Sequence, residues 1–276
     1  MTIDYCLGVD VSDIQGIIDW KKVKDSGISF AFCKATEGDS FVAKRFKTNW
    51  EEIKKNGLIR GAYHFAHTKN DPVIEANHFV KNVGELDSSD MLVLDIEDAK
   101  CTLNDEQFLI WTLKFLETVK QLANVTPIVY TGGPYFDKFG GSKPTDEWIK
   151  ELSIYPLWLA AYSLVPDKYV PAIWKSVGWS IWQRSGDVAA KGDKVFRIPG
   201  INSVVDRNQY KGTVEGLEMF AKSLHHDVIK ITPSYLLPID LDLHKNVDVI
   251  DKTVDEPLPI PRTFFGNLLH KIFGTK

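Results

Sequence analysis

Two acidic side chains, Asp95 and Glu97 in the segment Leu94-Asp95-Ile96-Glu97-Asp98, are the residues best spaced in this chain to move a proton. On a strand, residues i and i+2 share a face. The two carboxyls therefore project together, their Cα atoms about 6 to 7 Å apart, while Leu94 and Ile96 turn to the other side. Two carboxylates in a partly dry cleft cannot both ionise freely, so one keeps its proton to a higher pH than it would in water. An acid held near neutrality can protonate a leaving oxygen, such as the bridging oxygen of a glycosidic bond. A metal site or a solvated strand end would use the same residue types. Asp98 faces away from the pair.

Two further acids fall near the ends of apolar runs: Asp10 in Gly8-Val9-Asp10-Val11-Ser12, and Asp206 in Val204-Val205-Asp206-Arg207-Asn208. If those runs are the first and last strands of a closed barrel they are neighbours, and all four acids share one mouth. The plainer alternative is that Asp10 caps a turn with Ser12 and that Asp206 pairs with Arg207. His64 and His67 lie three apart in Tyr63-His64-Phe65-Ala66-His67, which sends them to opposite faces of a strand and does not suit one metal ion. His67 is read as structural, with Tyr63 or His64 able to reach the cleft. There is no G-x-S-x-G elbow. Gly132-Gly133 and Gly140-Gly141 are followed by no phosphate-binding pattern and read as loops. No metal and no cofactor is expected.

Placing such acids at one mouth requires strands that all end there. Eight short apolar runs qualify: Tyr5 to Val11, Ile28 to Ala35, Leu58 to Ala66, Met91 to Ile96, Pro127 to Thr131, Leu157 to Tyr162, Trp179 to Gln183 and Val204 to Gln209. Helical patterns separate the early ones, over Trp20 to Asp25, Ala43 to Asn56, Pro72 to Val83 and Asn104 to Asn124, and one more follows over Val214 to Leu224. Gly27, Gly57 and Gly84 stand where helix C-caps belong. Alternating strands and helices predict an α/β fold: an irregular, TIM-like (β/α) barrel of eight parallel strands whose helices are incomplete in the last third. The active mouth of such a barrel is the C-terminal end of its strands.

The 276 residues suffice for one large domain, set here at residues 1–226. A net charge of −4 and the absence of a long basic block argue against nucleic acid. The aromatic content of 12% is enough both to fill a core and to stack against sugars. Cys6, Cys33 and Cys101 show no metal spacing and read as buried thiols. Residues 227–276 form a Pro-containing extension that ends in a short amphipathic stripe, Phe264 to Phe273. That stripe suits docking on the barrel or weak contact with a membrane.

In its motifs the chain resembles the glycoside hydrolase family 25 lysozymes. The stretches that carry the resemblance are Gly8-Val9-Asp10-Val11-Ser12 with Gln15-Gly16 and Ile18-Asp19-Trp20, Phe32 to Gly38, Gly61-Ala62-Tyr63-His64-Phe65, Leu94-Asp95-Ile96-Glu97, Tyr130-Thr131-Gly132, Leu157-Trp158-Leu159-Ala160 and Trp182-Gln183. They keep the family's order and cover residues 1 to about 212. The resemblance implies cleavage of the β-1,4 bond between N-acetylmuramic acid and N-acetylglucosamine in peptidoglycan. It implies Glu97 as general acid/base, Asp95 as its partner, and Asp10 and Asp206 in the same cleft. Tyr63, Tyr130, Trp158 and Gln183 would line the sugar site. The implied mechanism retains configuration through the substrate's own 2-acetamido group, with an enzyme nucleophile or inversion by water as alternatives. An N-terminus without a basic and apolar leader, together with the lack of wall-binding repeats, resembles phage endolysins, which wait in the host cytoplasm for release by a holin. Two competing functions are a non-catalytic glycan-binding barrel and a metal-dependent carbohydrate deacetylase.

Overall fold

The computed structural model of the chain describes residues 5–186 and 197–226. The elements run β1 (Tyr5–Val11), α1 (Trp20–Asp25), β2 (Ile28–Glu37), β3 (Phe41–Val42), α2 (Phe46–Lys55), β4 (Ile59–Phe65), α3 (Pro72–Val83), β5 (Met91–Asp95), α4 (Asp105–Ala123), β6 (Ile128–Gly132), α5 (Gly133–Gly140), α6 (Asp146–Leu152), β7 (Leu157–Ala160), β8 (Ile181–Ser185), β9 (Asp206–Lys211) and α7 (Val214–Ser223). The first four expected helices and the last all form. Asp71 caps α3 ahead of Pro72 at its first turn, and Asn104 with Gln107 closes a reciprocal cap on α4. Gly27, Gly57 and Gly84 take φ of 95°, 70° and 76°, the left-handed turn that ends a helix without a Cβ clash.

Eight strands close into a barrel through the β1–β2 pairing, and β3 hangs as a two-residue hairpin on the end of β2. Six successive pairings, from β1–β2 through β7–β8, are parallel. The expectation of a fully parallel barrel needs correction at β9, which runs antiparallel to both β8 and β1. A parallel strand requires a crossover to the far end of the sheet. Here the chain leaving β8 re-enters at the same mouth, with Arg207 paired to Ser185 and Asp206 paired to Asp10. As foreseen, the last third lacks full helices: between β7 and β8 stand only two single 3₁₀ turns, Pro166–Tyr169 and Ala172–Trp174.

A second correction concerns Gly133 and Gly140, which bound α5 and are not loop residues. Pro134 at the first turn pre-sets the helical φ. Phe136 packs on Phe108 and Trp174, with ring centroids 5.2 and 4.9 Å away. Glycine is needed at 133 because a Cβ there would lie 1.7 Å from the carbonyl oxygen of Tyr169.

Inward-facing rings fill the barrel below its mouth. Phe32 stacks on Trp158 at 4.3 Å, and Tyr130 meets the same indole edge-on at 4.6 Å. Gly61 makes room for them, since a Cβ there would lie 2.2 Å from the Phe32 ring. A side chain at that position would push Phe32 off Trp158, an overpacking that costs about 1–3 kcal/mol. The three cysteines are free and buried. No helix among the described residues is long and apolar enough to cross a membrane. The C-terminal extension, residues 227–276, and its stripe from Phe264 to Phe273 lie outside the described residues.

Candidate active site

Every candidate site residue chosen from the sequence lines one cleft, of about 200 Å³, at the barrel mouth. Asp10 comes from the end of β1, Tyr63 from β4, Asp95 from the last position of β5, and Glu97 from two residues further on. Tyr130, Trp158 and Gln183 come from β6, β7 and β8. Asp206 arrives by the route that sequence did not foresee. It opens the antiparallel β9, so the start of that strand, not its end, meets the mouth.

Asp10 is not a turn cap. Its Oδ2 accepts hydrogen bonds from Gln183 Nε2 at 3.0 Å and Asn208 Nδ2 at 2.7 Å. Ser12 instead forms a reciprocal cap with Gln15 over the turn Asp13–Gln15. The network continues outward. Asn208 Oδ1 accepts from Trp158 Nε1 at 2.8 Å, and Gln183 Oε1 accepts from the hydroxyls of Tyr130 and Tyr162, each at 2.9 Å. Apart from the half-exposed Tyr162, these polar groups are buried and satisfied by one another, which fixes the cleft floor in one arrangement. Arg207 Nε donates to Ser185 Oγ at 3.0 Å.

Asp95 and Glu97 differ in setting. Asp95 is buried, and its Oδ1 has no hydrogen-bond partner among the described residues. Burial, followed by the neighbouring Glu97 charge, pushes its carboxyl well above the usual carboxylate range, against the pull of Lys34. Glu97 stands past the strand end, and much of the residue is exposed at the rim. Its carboxyl nonetheless faces into protein. Burial of that group and the charge of Asp10 raise it to about 7, with Lys34 again opposing. The site thus holds two adjacent acids of which at least one keeps a proton near neutrality, the condition for acid catalysis. Burial likewise holds the phenols of Tyr63 and Tyr130 neutral and able to donate hydrogen bonds.

The two histidines separate as their spacing required. His64 lies outside the cleft, buried between Thr36 Oγ1 at 2.8 Å and Glu75 Oε2 at 2.9 Å, with its ring against Phe115. His67 contacts Glu37 at 2.9 Å. Asp98 is also structural, accepting from the backbone N–H and hydroxyl of Thr68. Among the described residues, no group of three His, Cys, Asp or Glu side chains is arranged to hold a metal ion.

Three contributors escaped the sequence reading. Asn208 was legible, because it shares a strand face with Asp206. Lys34 carried a signal too, as the one charge inside the apolar run of β2. Tyr162 lies beyond the end of β7, and nothing in the pattern points its hydroxyl at Gln183.

Comparisons with known proteins identify the family and the fold. The model of the family "Glycosyl hydrolases family 25" matches residues 9–193. Lysozyme M1 of Streptomyces globisporus is 32% identical over 225 residues, which covers 78% of this chain and 71% of that protein. The crystal structure of a bacterial lysozyme from Streptomyces coelicolor superposes with a TM-score of 0.69 at 30% identity, covering 79% of this chain and 98% of the other. The CTP1L endolysin gives a TM-score of 0.61 at 26% identity, covering 79% and 70%.

Proposed function

Because the chain belongs to glycosyl hydrolases family 25, we infer that it is a lysozyme: an N-acetylmuramidase that hydrolyses the β-1,4 bond from N-acetylmuramic acid to N-acetylglucosamine in peptidoglycan. The observation that carries the reading is the pair of carboxyls raised above their ordinary range at a barrel mouth, one buried and one at the rim. In this reading Glu97 is the acid/base. It gives its proton to the glycosidic oxygen as the bond from the anomeric carbon breaks, and the substrate's 2-acetamido oxygen closes onto that carbon. Asp95 orients the amide and stabilises the positive charge that develops on it. Glu97, now a carboxylate, takes a proton from water, which opens the cyclic intermediate and leaves the configuration retained. Asp10, anchored by Gln183 and Asn208, and Asp206 complete the acidic cleft. Tyr63, Tyr130, Trp158 and Gln183 form the walls against which the sugar packs.

Analysis of the ends released from purified peptidoglycan tests the assignment. New reducing N-acetylmuramic acid is expected. New reducing N-acetylglucosamine would overturn the bond assignment, and free acetate without chain cleavage would favour a deacetylase.

The route to the wall is part of the same proposal: retention in a host cytoplasm followed by holin-type release. Similarity to the CTP1L endolysin supports it. Expression in a bacterial cytoplasm should leave cells intact until a holin is co-expressed, and lysis without one would contradict this route.

A further inference from the structure

Lys34 is the only cation among the described residues that line the cleft, and it stands with four carboxylates, Asp10, Asp95, Glu97 and Asp206. It projects from β2, and its ammonium is held from two sides. Glu37 Oε2 lies 2.5 Å from Nζ, and the Phe65 ring of β4 lies 4.8 Å away, with Phe41 of the β3 hairpin at 5.8 Å. Glu37 is itself tied at its other oxygen to His67 at 2.9 Å, and the His67 ring meets Phe65 edge-on. A lysine side chain carries about 2 kcal/mol of rotamer entropy, so its placement depends on such a clamp.

Resting on the muramidase reading, we propose that Lys34 is a positioning residue of the hydrolysis: its ammonium, clamped by Glu37 and Phe65 on the wall of the cleft, is the cation against which the Asp95–Glu97 pair holds its shared negative charge. Glu37 of β2 and the rings of Phe65 and Phe41 touch it directly, His67 reaches it through Glu37, and Asp10, Tyr63, Asp95, Glu97 and Asp206 line the same cleft. Lys34 is the group that opposes the upward push on both Asp95 and Glu97, whereas Glu37 adds to the push on Asp95. The two ends of the clamp therefore act with opposite sign.

The sign provides the test. The quantity to measure is kcat/KM on solubilised peptidoglycan against pH for wild type, Lys34→Met, Lys34→Arg and Glu37→Gln, with thermal unfolding as a check of the fold. Lys34→Met should move both limbs of the profile to higher pH by roughly half a unit or more, as loss of a nearby opposite charge does. Lys34→Arg should leave the limbs in place. Glu37→Gln should move the acid limb to lower pH, and this variant decides the matter alone if Lys34→Met fails to fold. A purely structural lysine would lower the plateau without moving the limbs. Limbs that superimpose with wild type in both Lys34→Met and Glu37→Gln overturn the proposal. A wild-type enzyme that releases no reducing N-acetylmuramic acid overturns the muramidase reading instead.

Discussion

Glu97→Gln lowers kcat/KM on peptidoglycan by roughly 10² to 10⁴-fold, the range that a positioned general acid contributes, and leaves thermal unfolding close to wild type. The amide keeps the size of the side chain and removes the proton to be donated. Because Glu97 stands at the rim beyond the end of β5, the exchange disturbs no core packing. The pH dependence follows from the same group. With its carboxyl raised to about 7, Glu97 is protonated below that pH and loses the donor above it. Wild-type kcat/KM should therefore decline on the alkaline side of about pH 7, approaching tenfold per pH unit. The residual activity of Glu97→Gln should lack that limb. Wall hydrolysis by Glu97→Gln within about tenfold of wild type would remove Glu97 from the mechanism.

Asp95→Asn reduces kcat by roughly 10² to 10³-fold, the usual cost of losing one preorganised electrostatic stabiliser, yet makes the protein more stable. The gain arises because a buried carboxyl with an oxygen lacking a hydrogen-bond partner is a burden on the fold once it must ionise. In the unfolded chain Asp95 titrates near 3.9. In the folded protein burial and Glu97 hold it well above that. Between those two points the folded state binds more protons than the unfolded one, so stability falls as pH rises. Asparagine removes this penalty. The melting temperature of Asp95→Asn should exceed that of wild type at pH 6, and the gap should shrink toward pH 3, where both carboxyls are neutral. A variant less stable than wild type at pH 6, or a gap independent of pH, would refute the account. Such opposition between stability and activity is what a strained polar site produces.

Much of the scaffold was readable before folding because it depends on local rules. The i, i+2 alternation that pairs Asp95 with Glu97 also puts Phe32 with Lys34, and Tyr63 with Phe65, in the barrel, while Ala62 and His64 face outward. Gly27, Gly57 and Gly84 end their helices because only glycine takes a left-handed φ without penalty. α5 was missed because Gly133 and Gly140 read as turn formers. Gly133 is in fact required by the approach of Tyr169, a contact 36 positions away in the chain.

The sequence by itself determined the number of barrel strands, eight of the residues that line the mouth, and, through seven ordered motifs, the family. It could do so because side-chain alternation and apolar periodicity are properties of a single segment. Tertiary structure alone decided the direction of β9, the hydrogen bonds that bind Asp10 to Gln183 and Asn208, and the Lys34-Glu37-His67 chain beside the two acids. An apolar pattern says which face of a strand is buried but not which way the strand runs. Direction depends on where the preceding connection re-enters the sheet, and the charge state of Asp95 and Glu97 depends on what burial and the neighbouring strands bring against them.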